Sequence, residues 1–448
     1  MKNNLVLVSF LLFVSVIKAQ TNKESYSFTL KEAIEHAIQN NYSAKNANRD
    51  IEAAKHKKWE TTTMGLPQIN ANVGYQNNIE IQKSLIPAEI FGGQPGEFAE
   101  VAFGTNHNIS SSLTLSQLLF DGSYLVGLQS AKTYLKISEN AKIKTDQEIK
   151  EIVINSYGNV LLADESILIL QKNKTILEKT YSDTKEIYKN GLIEEENVEQ
   201  LQITLSAIIS SLENVKRQKT IANNMLKLIL GIDIQNELTL KDKLDVLSQN
   251  NIDLELLKEE FNVTNNIDFQ IGQNLLTSKE LLLKLEKSKA LPSIGAALNF
   301  GYNAFGNQFN FLNQDQRWLN FSNVGMNLNV PIFSSLGRSS RTQQAKIALE
   351  QSKTLLTQTE QQLKLQFEKA RSDYEFSLEQ LTTSKSNLNL AERIENKNQI
   401  KFKEGLASSF DLTKAQEQLY SAQQTYLQTM LDVINKRATL EKLLNKNK

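Results

Sequence analysis

The chain of 448 residues exceeds one ordinary compact domain, yet it carries only 5 Pro and 18 Gly. Its 50 acidic residues balance its 50 Lys and Arg, which removes the electrostatic case for nucleic acid. With no Cys it can form no disulfide, thiolate metal site or lipid-modified N-terminal cysteine.

Residues 1–19 read as a secretory signal peptide: Lys2 precedes an apolar run from Leu5 to Ile17, and cleavage falls after Ala19. No later stretch is expected to reach the ~18 apolar residues of a spanning helix, so an exported chain would have to cross a membrane with strands. Gln20 to Phe28 read as a disordered lead-in. Thr29 and Glu32 form a capping box that opens an amphipathic helix to about Thr63. In the following stretch Ile69, Ala71, Val73 and Tyr75 alternate with Gln68, Asn70, Asn72 and Gly74, a strand period. A Gly- and Pro-rich loop from Asn77 to about Asn106 leads to a second strand, which ends at Phe120 before Asp121-Gly122.

The proline-free stretch Tyr124–Leu230 then organises the chain. Gly191 after Asn190 supplies a left-handed cap, and Glu194 to Glu196 suit a helix N-terminus. The expected element is a hairpin with an ascending arm of ~100 Å and a descending arm, Glu195–Leu230, of ~54 Å. Val198, Leu201, Leu205, Ile208, Leu212 and Val215 form a seam of 3.5 period, answered by Leu177, Tyr181 and Tyr188.

After an irregular equatorial connector, residues 232–253, the same order of events returns. Asn40-Asn41 matches Asn265-Asn266 and Leu66-Pro67 matches Leu291-Pro292, both offset by 225. Beyond the loop, Gln129 matches Gln343 and Tyr188 matches Phe402, both offset by 214. A shift that changes only across a loop marks a duplicated unit. The first repeat is 20–231 and the second 254–448, each a helix–strand–strand–long helical hairpin unit. The second is expected to hold a short helix from about Leu254 to Ser288, strands at Ser293–Asn303 and Ser322–Phe333, a ~100 Å arm Arg338–Glu404 and a short arm Ser409–Leu444. Its seam is Leu412, Ala415, Leu419, Ala422 and Tyr426.

The strand stretches lack Asp, Glu, Lys and Arg. Apolar-out, polar-in alternation over ~10 residues with flanking aromatics is the pattern of an outer-membrane barrel. It makes Ile69, Val73, Ile294, Leu298, Phe300, Val324, Met326 and Leu328 lipid-facing, and Asn70, Asn72, Asn299, Asn327 and Asn329 lumen-facing. A soluble sandwich would normally show charge on its solvent face. Four strands cannot close alone, since the smallest single-chain barrels have about eight. An oligomeric β-barrel follows: two copies give eight strands and three give twelve, and the sequence does not choose. The fold class is thus an α+β membrane protein, with four barrel strands per chain joined to an α-helical coiled-coil tunnel.

Leu66-Pro67 and Leu291-Pro292 entering strands, Phe120 and Phe333 closing them, and the tips Gly191-Leu192 and Gly405-Leu406 with Asp411-Leu412 make the chain resemble the TolC-type outer-membrane efflux family over nearly all of its mature length. The resemblance implies a homotrimer with a twelve-strand barrel in the outer membrane of a Gram-negative-type cell and a twelve-helix periplasmic tunnel. It also implies that the tips Gly191, Leu192, Gly405 and Leu406 meet a periplasmic adaptor (membrane fusion) protein linked to an inner-membrane transporter. In that family acidic residues near the tip line the closed periplasmic aperture. Asp411 falls on one such place, while Lys414 stands where some members have a second acid, and Phe402 replaces a tip tyrosine. Asp411 is therefore expected either to form a cation-attracting constriction with its copies or to cap its helix with Ser408 or Ser409.

Other features carry no chemistry. His36 and His56 are twenty apart on a helix and His107 is remote, so no metal site is expected. Gly92-Gly93-Gln94-Pro95-Gly96 lacks the lysine and following helix of a phosphate loop. Trp318 and its Phe neighbours suit an interfacial belt or loop packing. No nucleophile–base–orienter set exists, so an enzyme is disfavoured and no cofactor is implied. The expected function is a passive exit duct of a tripartite efflux or type I secretion system, with a periplasmic coiled-coil spacer or adaptor as the alternative and a simple diffusion porin as a third reading.

Overall fold

The structure, a computed structural model, describes residues 24–445. The signal peptide, residues 1–19, and the first part of the lead-in lie outside the described residues. Two compact units emerge from the contacts. One combines residues up to Tyr42 with Ile149–Leu254 and Tyr374–Ala438; the other combines Ser43–Glu148, Glu255–Asp373 and the chain from Thr439.

The lead-in is ordered where it is described, contrary to expectation: Ser25–Phe28 forms strand β1. The capping box at Thr29 is present, with Thr29 N donating to Glu32 Oε2 at 2.8 Å. The single helix read to Thr63 is broken into α1, Leu30–Asn40, and α2, Tyr42–Thr63. Asn41 causes the break: its backbone leaves the helical region (φ −56, ψ 140) and its side chain donates to Ile229 O at 2.7 Å. Strand β2, Gln68–Asn77, follows. The loop beyond it holds a hairpin of its own, β3 (Lys83–Pro87) and β4 (Phe98–Ala102), tied by the Lys83–Glu100 ion pair.

Strand β5, His107–Asp121, passes directly into α3, Gly122–Lys189. Asp121 is thus the one acidic residue within the sheet, and it serves as a cap: its Oδ1 accepts from Ser123 N at 2.6 Å and Tyr124 N at 3.0 Å. Gly122 makes this a close junction: a methyl group there would sit 2.7 Å from Leu291 Cδ1, and the leucine side chain would have to move aside. One 18-residue window of α3 reaches a mean hydropathy of 1.2, which corrects the expectation that no helix would be apolar enough to span a membrane. Its apolarity has a packing cause, since Val153, Ile154, Tyr157, Val160 and Leu161 are buried in the core of the first unit.

The descending arm is α4, Glu195–Leu230, closed by Gly231 in the left-handed conformation (φ +71). The connector read as irregular contains β6, Glu237–Leu240, which pairs in parallel with β1, and α5, Leu244–Asn250. The Tyr157 hydroxyl fastens this pairing, 2.8 Å from Asp242 Oδ2 and 3.0 Å from Phe28 O; burial and the neighbouring carboxylate push its phenol above the ordinary range. Tyr374 plays a similar part nearer Asn251, donating to its carbonyl at 2.8 Å and accepting from Asp253 N at 2.9 Å.

The helix expected from Leu254 is replaced by 3-10 turns at Glu255–Lys258 and Val263–Asn265, before α6, Ile267–Ser288, capped by Asn266. Strands β7 (Ser293–Gly306) and β8 (Trp318–Asn329) come next. Strand β8 stops four residues before Phe333, because β7 begins at Ser293 and offers Val330–Phe333 no partner. The linker that follows turns through Ser335 and Leu336, both at positive φ, and the Arg338 guanidinium holds it by donating to Pro331 O (2.7 Å) and Ile332 O (3.2 Å). The second hairpin is α7, Gly337–Lys403, and α8, Ser409–Leu444.

Candidate functional site

Strands β2, β5, β7 and β8 form one antiparallel sheet in the order β2-β5-β7-β8. Because side chains alternate across a sheet, register decides which residues share a face. One row runs Asn70–Thr114–Asn299–Asn323, and its members bond laterally: Thr114 Oγ1 donates to Asn299 Oδ1 at 2.7 Å and Asn299 Nδ2 to Asn323 Oδ1 at 2.9 Å. Asn72, Asn327 and Asn329 fall on this same face. The alternate row Ile69–Leu115–Leu298–Val324 lies on the other, with Val73, Ile294, Phe300, Met326 and Leu328.

At the His107 end of the apolar face an aromatic cluster meets Tyr75, which stays half-exposed. Phe309 and Phe311 meet its ring edge-on at 5.4 and 6.3 Å, and its hydroxyl lies 2.8 Å from His107 Nδ1. Tyr75 was read only as a strand position; it pairs with Ile109, and His107 is the diagonal neighbour that its hydroxyl reaches. Strands β2 and β8 are the edges, and among the described residues neither has a second partner.

The two hairpin turns lie in the first unit. Each closes on a left-handed glycine, Gly191 (φ +72) and Gly405 (φ +71). Gly191 N donates to Tyr188 O at 2.8 Å and Leu192 N to Ile187 O at 3.3 Å; Gly405 N donates to Phe402 O at 3.1 Å and Leu406 N to Lys401 O at 2.8 Å. This paired pattern is the Schellman motif. It leaves Leu192 and Leu406 at 74% and 78% exposure, apolar side chains presented to solvent. Beneath the turns Leu177, Leu201 and Ile208 form a buried cluster, flanked by Tyr181, Leu205, Phe402 and Tyr420. Tyr188, expected in the seam, is exposed instead.

A cleft of about 640 Å³ opens between the hairpins, lined by Thr184, Ile187, Asn197, Phe402, Leu406 and Asp411 among others. Its lining includes Gly405, Leu406 and Asp411 of the predicted site residues, and neither Gly191 nor Leu192. The Asp411 carboxylate is turned onto its own helix. It accepts from Ser408 Oγ at 2.7 Å and Ser408 N at 3.1 Å, while Asp411 N donates to Ser408 Oγ at 3.2 Å. This is a reciprocal capping box. The Ser408 bonds hold the carboxyl below its ordinary range, so Asp411 is anionic at neutral pH.

Two neighbours were not legible beforehand. Asn197 Oδ1 accepts from Ser409 N at 3.2 Å and ties one hairpin to the other. Glu395 is half-buried, and desolvation raises its carboxyl above the usual range. Neither stands in a motif: the crossing of the hairpins reveals Asn197, and the packing of α7 on Gln416 and Tyr420 of α8 reveals Glu395. His36 rests on the rings of Phe28 and Tyr26, and among the described residues no group of His and carboxylates could hold a metal ion.

Comparison with known proteins agrees with this geometry. Residues 33–232 and 265–446 match the family model described as outer membrane efflux protein. The outer membrane protein TolC of Vibrio cholerae is 23% identical over 341 residues, covering 75% of this chain and 72% of that protein. Among solved structures, CusC superposes with a TM-score of 0.74 at 18% identity, over 93% of this chain and 92% of that one. The outer membrane protein VceC of Vibrio cholerae gives 0.71 at 15% identity, over 93% and 95%.

Proposed function

Because the chain belongs to the outer membrane efflux protein family, we propose that three copies pool their four-stranded sheets into one twelve-stranded barrel, and that their helical hairpins continue its bore on the periplasmic side. The protein is an outer-membrane exit duct of a tripartite efflux system. It works as a homotrimer with a periplasmic adaptor at the hairpin turns and an inner-membrane pump, which supplies the energy. Transport here is passage through a wet lumen, with no chemical step for this chain to perform.

One observation carries the reading: a sheet with no charged residue short of Asp121 has one polar and one apolar face and two unpaired edges. An exposed edge invites pairing with another strand, and closure into a ring is the arrangement that removes both. The apolar face then meets lipid and the asparagine rows line the bore. The two repeats, 20–231 and 254–448, specify how the edges meet. Ile69 corresponds to Ile294, a shift of 225; Gln68 pairs with Ser116 as Ser293 pairs with Asn329, so β8 stands 213 positions after β5. The junction between repeats inside the chain, β5 with β7, pairs Ser116 with Ala297. Carried to the junction between chains, the same geometry pairs Asn329 with Asn72 of the partner subunit and Leu328 with the partner subunit's Val73. Polar meets polar and apolar meets apolar.

Because the chain has no Cys, this register is open to a clean test. Val73→Cys combined with Leu328→Cys should give a covalent trimer in outer-membrane fractions under mild oxidation. Soluble periplasmic monomer without cross-links would defeat the reading and favour a spacer.

A further inference from the structure

Strands β2 and β7 occupy corresponding places in the two repeats, yet β2 has 10 residues and β7 has 14. The shift of 225 maps Ser293–Gly306 onto residues 68–81, so the four missing positions are Asn78, Ile79, Glu80 and Ile81. Their sequence keeps the strand alternation in phase. Ile79 and Ile81 continue the apolar series of Ile69, Val73 and Tyr75, and Asn78 and Glu80 continue the polar one. Exposure, however, is opposite in the two repeats. Ile79 is 92% exposed, while its counterpart Ala304 is 0% exposed, paired with both Ile109 and Trp318.

The reason lies in what flanks each segment. Within the chain β5 begins at His107, opposite Asn77. Past that point Asn78 N still donates to Asn106 O at 2.7 Å and Asn78 Nδ2 to Thr105 O at 2.9 Å, but the regular ladder lapses through Gly104 (φ +135) and resumes only where Lys83 pairs with Ala102. The other flank of β2 is the open edge. Strand β8 starts at Trp318, well outward of the last residue that β2 can reach in the inter-chain register.

We propose that Asn78–Ile81 is a latent extension of β2, which becomes a strand only when a second copy of this chain seats its β8 alongside. The inference rests on the barrel reading above. Its register sets Asn78 opposite the partner subunit's Asn323, Ile79 opposite the partner subunit's Ser322, Glu80 opposite the partner's Phe321 and Ile81 opposite the partner's Asn320. Sidedness is kept: Ser322 and Asn320 sit in the rows of Phe300 and Tyr302, on the side of Ile79 and Ile81, and Asn323 and Phe321 sit in the rows of Asn299 and Gly301, on the side of Asn78 and Glu80. The extension brings Ile79 and Ile81 onto the apolar face and covers Asn320–Asn323 of the β8 edge, which β2 alone leaves bare. The β3–β4 hairpin, which begins at Lys83, is thereby anchored at the boundary between subunits.

Ile79→Cys with Ser322→Cys tests it in the full-length protein in outer membranes, with Val73→Cys/Leu328→Cys as the reference pair. The expected result is a covalent trimer from both pairs. Ile79→Cys with Asn320→Cys, two positions off register, should cross-link far less, because diagonal neighbours stand ~7–8 Å apart and a disulfide needs Cβ atoms within about 4.5 Å. Reference cross-linking without the Ile79/Ser322 product overturns the extension and leaves the barrel standing. Failure of both pairs overturns the register and the extension together. Equal yields from the two Ile79 pairs would mean a mobile loop, and would also overturn it.

Discussion

The two hairpin turns share one backbone solution and differ in how the next helix starts. Both use a glycine near φ +71 and two returning amide bonds, and in both the glycine faces open space. At the second turn Ser408 and Asp411 satisfy each other's amides, and α8 begins as a locked element. At the first, Glu194 sits at the N-cap without a side-chain bond, and Glu195 and Glu196 contribute only through the helix dipole. One turn is built from specific hydrogen bonds, the other from a charge gradient that salt screens. A partner that meets both turns therefore finds one rigid entry and one adaptable entry.

The largest expected effect tests whether the second turn also rests on the better core. Leu412 is fully buried, so Leu412→Ala should cost about 2–5 kcal/mol. Val198→Ala, its counterpart by the offset of 214, removes fewer carbons and should cost less. Amide hydrogen exchange across α8 and α4 would rank them; an equal loss would mean that the cores are equivalent. Next, Gly191→Ala and Gly405→Ala should be alike, each about 1–2 kcal/mol from left-handed backbone strain, because neither meets a neighbour. Unequal protection losses in the flanking turns would show that the turns differ in backbone as well as in cap. The smallest effect separates the caps themselves. Ser408→Ala should cost ~1 kcal/mol of protection in the first turn of α8, whereas Glu194→Ala should leave α4 nearly unchanged. The same Ser408→Ala protein removes the hydroxyl bond to the Asp411 carboxylate and leaves the backbone amide of residue 408 donating to it. If three Asp411 carboxylates constrict the periplasmic aperture, single-channel recordings should show cation selectivity kept in Ser408→Ala and reduced in Asp411→Asn. Unchanged selectivity in Asp411→Asn leaves that residue as a cap alone.

Elements whose signal is local were readable from the residues. The arms α4 and α8 have the bounds expected of them, Glu195–Leu230 and Ser409–Leu444, because an apolar seam and a glycine cap or acidic start are written into adjacent positions. What escaped depends on distant partners. Ser25–Phe28 is four residues long and becomes a strand only through Glu237–Leu240, more than two hundred positions away. Asn41 breaks a helix that its neighbours favour because Ile229 O accepts from its side chain. The cleft lining was half legible: Asp411 and Gly405 stand in recognisable turn chemistry, while Asn197 acquires its place only where two hairpins cross. The face assignments of the strands needed no partner, since alternation alone sorts Asn70 from Ile69.

The passage from sheet to long helix differs between β5–α3 and β8–α7, and this has a mechanical corollary. Strand β5 runs into α3 with no intervening residue, clamped by Asp121 and by Gly122 packed against Leu291. Strand β8 reaches α7 through seven residues, two of them at positive φ. A stiff weld transmits torque, whereas a jointed strap absorbs it. In a closed ring of three chains, welds and straps would alternate around the circumference. Twisting of α3 would be felt at once by the strand it continues, while α7 could swivel beneath a sheet that stays still.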